Sequence, residues 1–145
     1  MNESALLTAR AYIQANYDEV WKQFTNASAY AAWFSAPCLE FGTKIGDRVA
    51  WGVDAPFYQG TIQSIQKGQG ISHTIQFTGF GFDEAPTLVA IEIIEQGATV
   101  LVTIQHDCTD APQTAKIIGS LGWLKSLSRL KTLLETGEPM IWPEP

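Results

Sequence analysis

The two histidines of this sequence both fall inside strand-like apolar patterns. His73 shares parity with Ile71, Ile75 and Phe77, and His106 with Val100, Val102 and Ile104. Residues of one parity line one face of a strand. Each imidazole is therefore expected on, or at the edge of, the apolar face of a sheet, where a polar group needs a partner. Two roles are open to each. One is to orient a ligand or act as a general base near neutral pH. The other is structural, with the ring bonded to backbone or water. As a pair, they are the acid–base couple the sequence offers to an enzyme.

Other chemistries lack a signature. His73, His106, Glu40, Glu92 and Cys108 are scattered over the chain with no H-x-H, H-x-x-x-H or C-x-x-C pair, so no metal site is expected. There is no G-x-S-x-G, P-loop or G-x-G-x-x-G, and no cofactor is expected. Gly79-Phe80-Gly81-Phe82 has no lysine and opens no helix. It reads as a cavity lid or as an ordinary loop with one aromatic packed down. The two cysteines, Cys38 and Cys108, read as reduced, half-buried thiols. Arg48 and Glu40 could anchor a polar group only if strand phase turned them inward. Glu92 reads as a solvent-facing carboxylate between apolar neighbours. Lys116, Lys125, Arg129 and Lys131 lie on the closing helix and read as a solvated face, or as a dock for an acidic partner or lipid headgroup.

These residues need elements to position them. Ala5–Ala15 alternates as a strand. Asn16 with Glu19 forms a capping box for a short helix carrying Val20, Trp21 and Phe24, and a second short helix spans Ser28–Phe34. From Pro37 to Asp107 the period is two. Candidate strands are Cys38–Thr43, Asp47–Val53, Phe57–Lys67, Ile71–Phe77, Thr87–Glu95 and Thr99–His106, with Gly, Pro and Asp turns between them. A long helix follows, with Asp110 as N-cap, Gln113 completing a capping box and Gly137 as stop. Trp123, Leu127, Leu130 and Leu134 form one apolar stripe and Ile117, Leu121 and Leu124 another. Together they make a wide face that must lie on the sheet. The economical solution is an α+β domain. A curved antiparallel sheet of about seven strands wraps on a long C-terminal helix, with two short helices after the first strand. A cavity between sheet and helix is a geometric expectation.

The chain has 145 residues, and 1–145 reads as one domain with a loose tail over 137–145. Hydrophobic residues make up 46%, enough to build a core and argue against disorder. Net charge is −6, with no basic footprint for nucleic acid. No apolar run reaches the ~18 residues of a membrane span, so no stable membrane insertion is expected. Met1–Ala5 lacks a signal-peptide pattern, and a cytoplasmic location is the default.

Four local motifs in order carry a family resemblance over about Leu6–Glu135. Val20-Trp21-Lys22-Gln23-Phe24-Thr25-Asn26 is followed by Trp33-Phe34. A late strand, Thr99–His106, ends in histidine. Gly122-Trp123 precedes Leu127, Leu130 and Leu134-Glu135. The sequence resembles the activator-of-heat-shock-protein-ATPase homologues of the SRPBCC superfamily, which also holds START lipid-transfer domains and polyketide cyclases. The resemblance implies a helix-grip fold with a deep apolar cavity, and ligands such as lipids, sterols or polyketides. The co-chaperone behind the family name carries a large additional N-terminal domain, which this sequence does not include. The family name is therefore not taken as a function.

The leading expectation is a binder or carrier of a small hydrophobic molecule. Trp33, Trp51, Phe57, Phe77 and Phe80 are aromatic candidates for its wall or mouth, with Ile117 and Leu121 from the helix. His73 and His106 are the polar groups. Taken singly, each aromatic reads as core packing; the ligand reading concerns the set. The alternatives are a cyclase- or hydratase-type enzyme using the histidines, and an interaction module, either a chaperone accessory or a homodimer. The latter would use the aromatics of the first helices and Trp142.

Overall fold

Alternation builds the sheet, as a computed structural model covering residues 6–143 shows in detail. Expectations for Met1–Ala5 and for Glu144-Pro145 lie outside the described residues. In β1 (Leu6–Ile13), Ala9 and Ile13 are buried and Thr8, Arg10 and Tyr12 exposed. Strands β2 (Cys38–Phe41), β3 (Arg48–Gly52), β4 (Pro56–Gln66), β5 (Gly70–Phe77), β6 (Thr87–Gln96) and β7 (Thr99–Asp107) follow. Their order across the sheet is β1-β7-β6-β5-β4-β3-β2, and every neighbouring pair is antiparallel. Register shifts at Cys38/Glu40, Trp51/Gly52 and Ile62/Ser64 bend the far half, as bulges do. The expected seven-stranded curved sheet is therefore present.

Asn16 caps α1 (Tyr17–Thr25), accepting from the Glu19 amide at 2.8 Å. The second helix is shorter than expected. Asn26 caps α2 (Ala27–Ala31) through the Ala29 amide at 3.0 Å, and Trp33 and Phe34 fall in the turn beyond it.

The closing helix departs from expectation in three ways. It is two helices, α3 (Pro112–Ile118) and α4 (Gly122–Thr136). Gly119, at φ 77°, makes the break, a conformation that only glycine adopts freely. Asp110 is not the cap. Glu84, from the β5–β6 loop, accepts from the Gln113 and Thr114 amides at 2.9 and 2.8 Å and from the Thr114 hydroxyl at 2.8 Å. Desolvation opposes ionisation of Glu84, but the three bonds together outweigh it and hold the carboxyl below its ordinary pKa. Finally, the break turns one stripe outward. Ile117, Leu121 and Leu124 are exposed, while Trp123, Leu127 and Leu130 are buried.

Gly137 ends α4 as expected, at φ 96°. Two α4 cations are clasps rather than a solvated face. Lys131 donates to the Tyr12 carbonyl at 2.7 Å and pairs with Glu135. Arg129 donates to the Trp33 and Met140 carbonyls, both at 2.8 Å, and lies 5.8 Å over the Trp142 ring. The tail thus has an anchor on α4. Among the described residues, no helix is long and apolar enough to cross a membrane.

Candidate functional site

A cavity of about 160 Å³ lies between the sheet and the broken closing helix. Tyr58, Ile75 and Phe77 form its sheet wall. Ile117, Ile118, Gly122, Trp123 and Ser126 come from α3 and α4, Phe34 and Ser35 from the turn after α2, and Trp142 from the tail. The lining is apolar apart from Ser35, Ser126 and the Tyr58 hydroxyl, the usual make-up of a small-molecule pocket.

Local sequence explains each wall. Ile75 and Phe77 alternate inward on β5, and Tyr58 stands opposite Phe77 in register. Trp123 and Ser126 are three apart on α4 and share a face. The Gly119 break brings Ile118 and Gly122 together over the sheet, and Gly122 is near enough to Ile118 that an added Cβ would meet it at 3.0 Å.

Of the nine residues nominated from sequence, Phe77 and Ile117 line this cavity. Leu121 is exposed beside it. Phe57 and Phe80 are exposed at the start of β4 and in the β5–β6 loop, where Phe80 packs on Phe77 at 5.2 Å and on Phe57 at 6.4 Å between ring centroids. Trp33, Trp51, His73 and His106 are fully buried and lie outside the lining. Sequence reasoning missed Tyr58 and Ile75, although Ile75 shares the parity of His73 and Phe77. It placed Phe34 and Trp142 elsewhere, because neither lies in a periodic element.

Both histidines are on the covered face, in one register row: Ile62, His73, Val89, His106 and Leu7. His106 is saturated. Trp123 Nε1–H donates to its Nδ1 at 3.2 Å. Nδ1 must therefore be bare, and the proton of the neutral ring sits on Nε2. Nε2–H then donates to Thr87 Oγ1 at 2.6 Å, whose own O–H donates to the Ile75 carbonyl at 3.1 Å. Burial, with a smaller contribution from His73, pushes His106 down to about 4, keeping it neutral. The network bolts α4 to β5, β6 and β7.

His73 is half satisfied. Its Nδ1 lies 3.0 Å from the Thr74 carbonyl, which can only accept, so Nδ1 carries the proton. Nε2 is a bare acceptor with no partner among the described residues. Burial pushes this ring down to about 4 as well.

Neither thiol is activated. Burial pushes Cys38 and Cys108 each up to about 11, which suppresses the thiolate. Arg48 and Glu40 are exposed and paired with each other at 2.9 Å, so they anchor nothing inside.

The family model described as Activator of Hsp90 ATPase homolog 1-like protein matches residues 14–135. This chain belongs to that family. Solved structures share its helix-grip fold. DynU16, described as a protein of the dynemicin biosynthetic locus, is 20% identical with a TM-score of 0.76, over 94% of this chain and 49% of its own. The chain thus spans about half the length of that neighbour. CalU16 from Micromonospora echinospora is 19% identical with a TM-score of 0.70, over 94% of this chain and 88% of its own. The Aha1 dimer from Colwellia psychrerythraea is 15% identical with a TM-score of 0.70, over 91% and 97%. No curated protein matches the sequence.

Proposed function

We propose that this member of the family binds a small, mainly apolar molecule between the sheet and α3–α4. The observation that carries the reading is the cavity of about 160 Å³, with its apolar lining and few polar groups. An apolar cavity of roughly 150 Å³ accommodates a benzene-sized molecule. Ligand pockets more often span 300–1,000 Å³, so a larger ligand requires the walls to move. The break at Gly119 and the tail carrying Trp142 are the wall segments least tied to the sheet ladder.

The cyclase-type alternative draws less support. Its acid–base pair is not assembled at the cavity, since both imidazoles are buried behind the lining and one is saturated by structural bonds. An interaction module is supported by the outward pair Leu121 and Leu124. That a related structure is a dimer suits the same reading.

Native mass spectrometry of protein purified gently from its own host tests the proposal. A co-purifying small apolar molecule, lost on denaturation, is the expected result. A clean mass, with no saturable binding of aromatic probes added afterwards, would contradict it.

A further inference from the structure

Behind the cavity lies a nest of aromatic rings with unused polar atoms. Tyr30, Trp33, Trp51 and His73 are each fully buried. The Tyr30 hydroxyl, both indole N–H groups and His73 Nε2 have no hydrogen-bond partner among the described residues. Buried polar groups are nearly always paired, and leaving one unpaired costs about 1–3 kcal/mol. Four in one cluster therefore require an explanation.

They do cluster. Ring centroids separate Tyr30 from Trp33 by 4.8 Å, Tyr30 from Trp51 by 5.5 Å and Trp51 from His73 by 5.3 Å. The unused atoms are also of complementary kinds. Indole N–H only donates, and His73 Nε2 only accepts while Nδ1–H is engaged with Thr74. Trp51 and His73 stand side by side without satisfying each other. A hydroxyl, which both donates and accepts, matches both kinds of atom.

Two cavity-lining rings touch this nest: Tyr58, held in β4, stacks on Trp51 at 5.4 Å, and Phe34 is the other. Phe34 lines the cavity and is half-buried, in the turn after α2 rather than in a helix or strand. It contacts Trp123 at 5.3 Å and Tyr58 at 6.3 Å on the cavity side, and Tyr30 at 5.2 Å and Trp51 at 5.8 Å on the nest side. Rotation of this side chain would open the cavity toward the nest.

We infer that Phe34 is a gate, and that the ligand is an apolar molecule bearing a hydroxyl that reaches past it to Trp51 Nε1 and His73 Nε2. This rests on the cavity reading above and narrows it from apolar molecules in general to alcohols and phenols. The cavity holds the hydrocarbon body and the nest selects the head.

Naphthalene and 2-naphthol, which differ by one hydroxyl, separate the two levels. Their affinities are measured by fluorescence for the wild-type chain and for Phe34→Ala, each with and without His73→Phe. Phe34→Leu replaces Phe34→Ala if the latter does not fold. Opening the gate should tighten both probes. In the gate variant, 2-naphthol should bind about ten-fold more tightly than naphthalene, as expected for one or two net hydrogen bonds. Adding His73→Phe should cut that preference to about three-fold or less, since only the Trp51 bond remains, and leave naphthalene within two-fold. If naphthalene binds but the hydroxyl gives no preference, as when a water molecule already satisfies the nest, the inference is overturned and the cavity reading stands. If neither probe binds in any variant, both fall.

Discussion

The two buried histidines occupy one row of one sheet face, two strands apart, and are equally hidden from solvent. They differ in what they touch. His106 has both ring nitrogens engaged, one by Trp123 and one by Thr87. His73 has one nitrogen on the backbone and one facing aromatic rings without a partner. Burial alone therefore does not separate the two rings. Satisfaction of their hydrogen-bonding atoms does. The His106 end of the row is where the closing helix is fixed, and the His73 end is where the molecule keeps polar capacity in reserve.

The largest expected effect comes from removing the indole that serves both purposes at the His106 end. Trp123→Ala should destabilise the fold by about 3–5 kcal/mol in urea unfolding, since it empties a buried site and strands His106 Nδ1. A loss under ~1 kcal/mol would show that α4 is not bolted there.

The two histidines should next respond differently to the same substitution. His106→Phe leaves the Trp123 N–H buried without an acceptor and should cost about 1–3 kcal/mol. His73→Phe removes one bond to the Thr74 carbonyl and an atom that already lacks a partner, and should stay within ~1 kcal/mol of wild type. Equal losses would erase the contrast.

Acid should read both rings together. Each folded-state pKa is pushed down to about 4 from an ordinary 6.5, chiefly by burial. Between those values the unfolded chain binds protons that the folded chain refuses, so stability falls as pH falls. Above about pH 6.5 this contribution is fully present and flat. The slope approaches ~1.4 kcal/mol per pH unit for each ring. Unfolding measured from pH 6.5 to 5, above the carboxylate range, should show about half the slope in His73→Phe. An unchanged slope would mean that ring is not held neutral.

The smallest effect is expected on the outward stripe. Leu124→Ser should change monomer stability by no more than ~0.5 kcal/mol, as for exposed positions generally. A larger loss, or a change in sedimentation, would show that this face is covered by a second copy.

Much of this was legible in the sequence, and the limits have physical causes. Period-two alternation placed His73, His106, Ile75 and Phe77 on the covered face, because parity is a local property of a strand. Asn16 and Gly137 marked helix ends through chemistry that acts within one turn. The break at Gly119 was missed because the stretch from Pro112 to Thr136 is continuous in helical period, and a single glycine is tolerated inside a helix. The cap on α3 was misplaced because Glu84, some thirty residues earlier, displaces the nearby Asp110. Which histidine is saturated depends on Trp123 arriving from another element. Phe34 and Trp142 reach the cavity from irregular segments, where no period betrays the direction of a side chain.

The most direct test of the cavity as a ligand site is an NMR titration of the wild-type chain with naphthalene, followed at the Ile and Leu methyls and the Trp indoles. The account predicts saturable shifts at Ile75, Ile118 and the Trp123 indole, with the exposed Leu121 and Leu124 methyls unmoved. Saturable shifts confined to that outer stripe, or none at all, would contradict it.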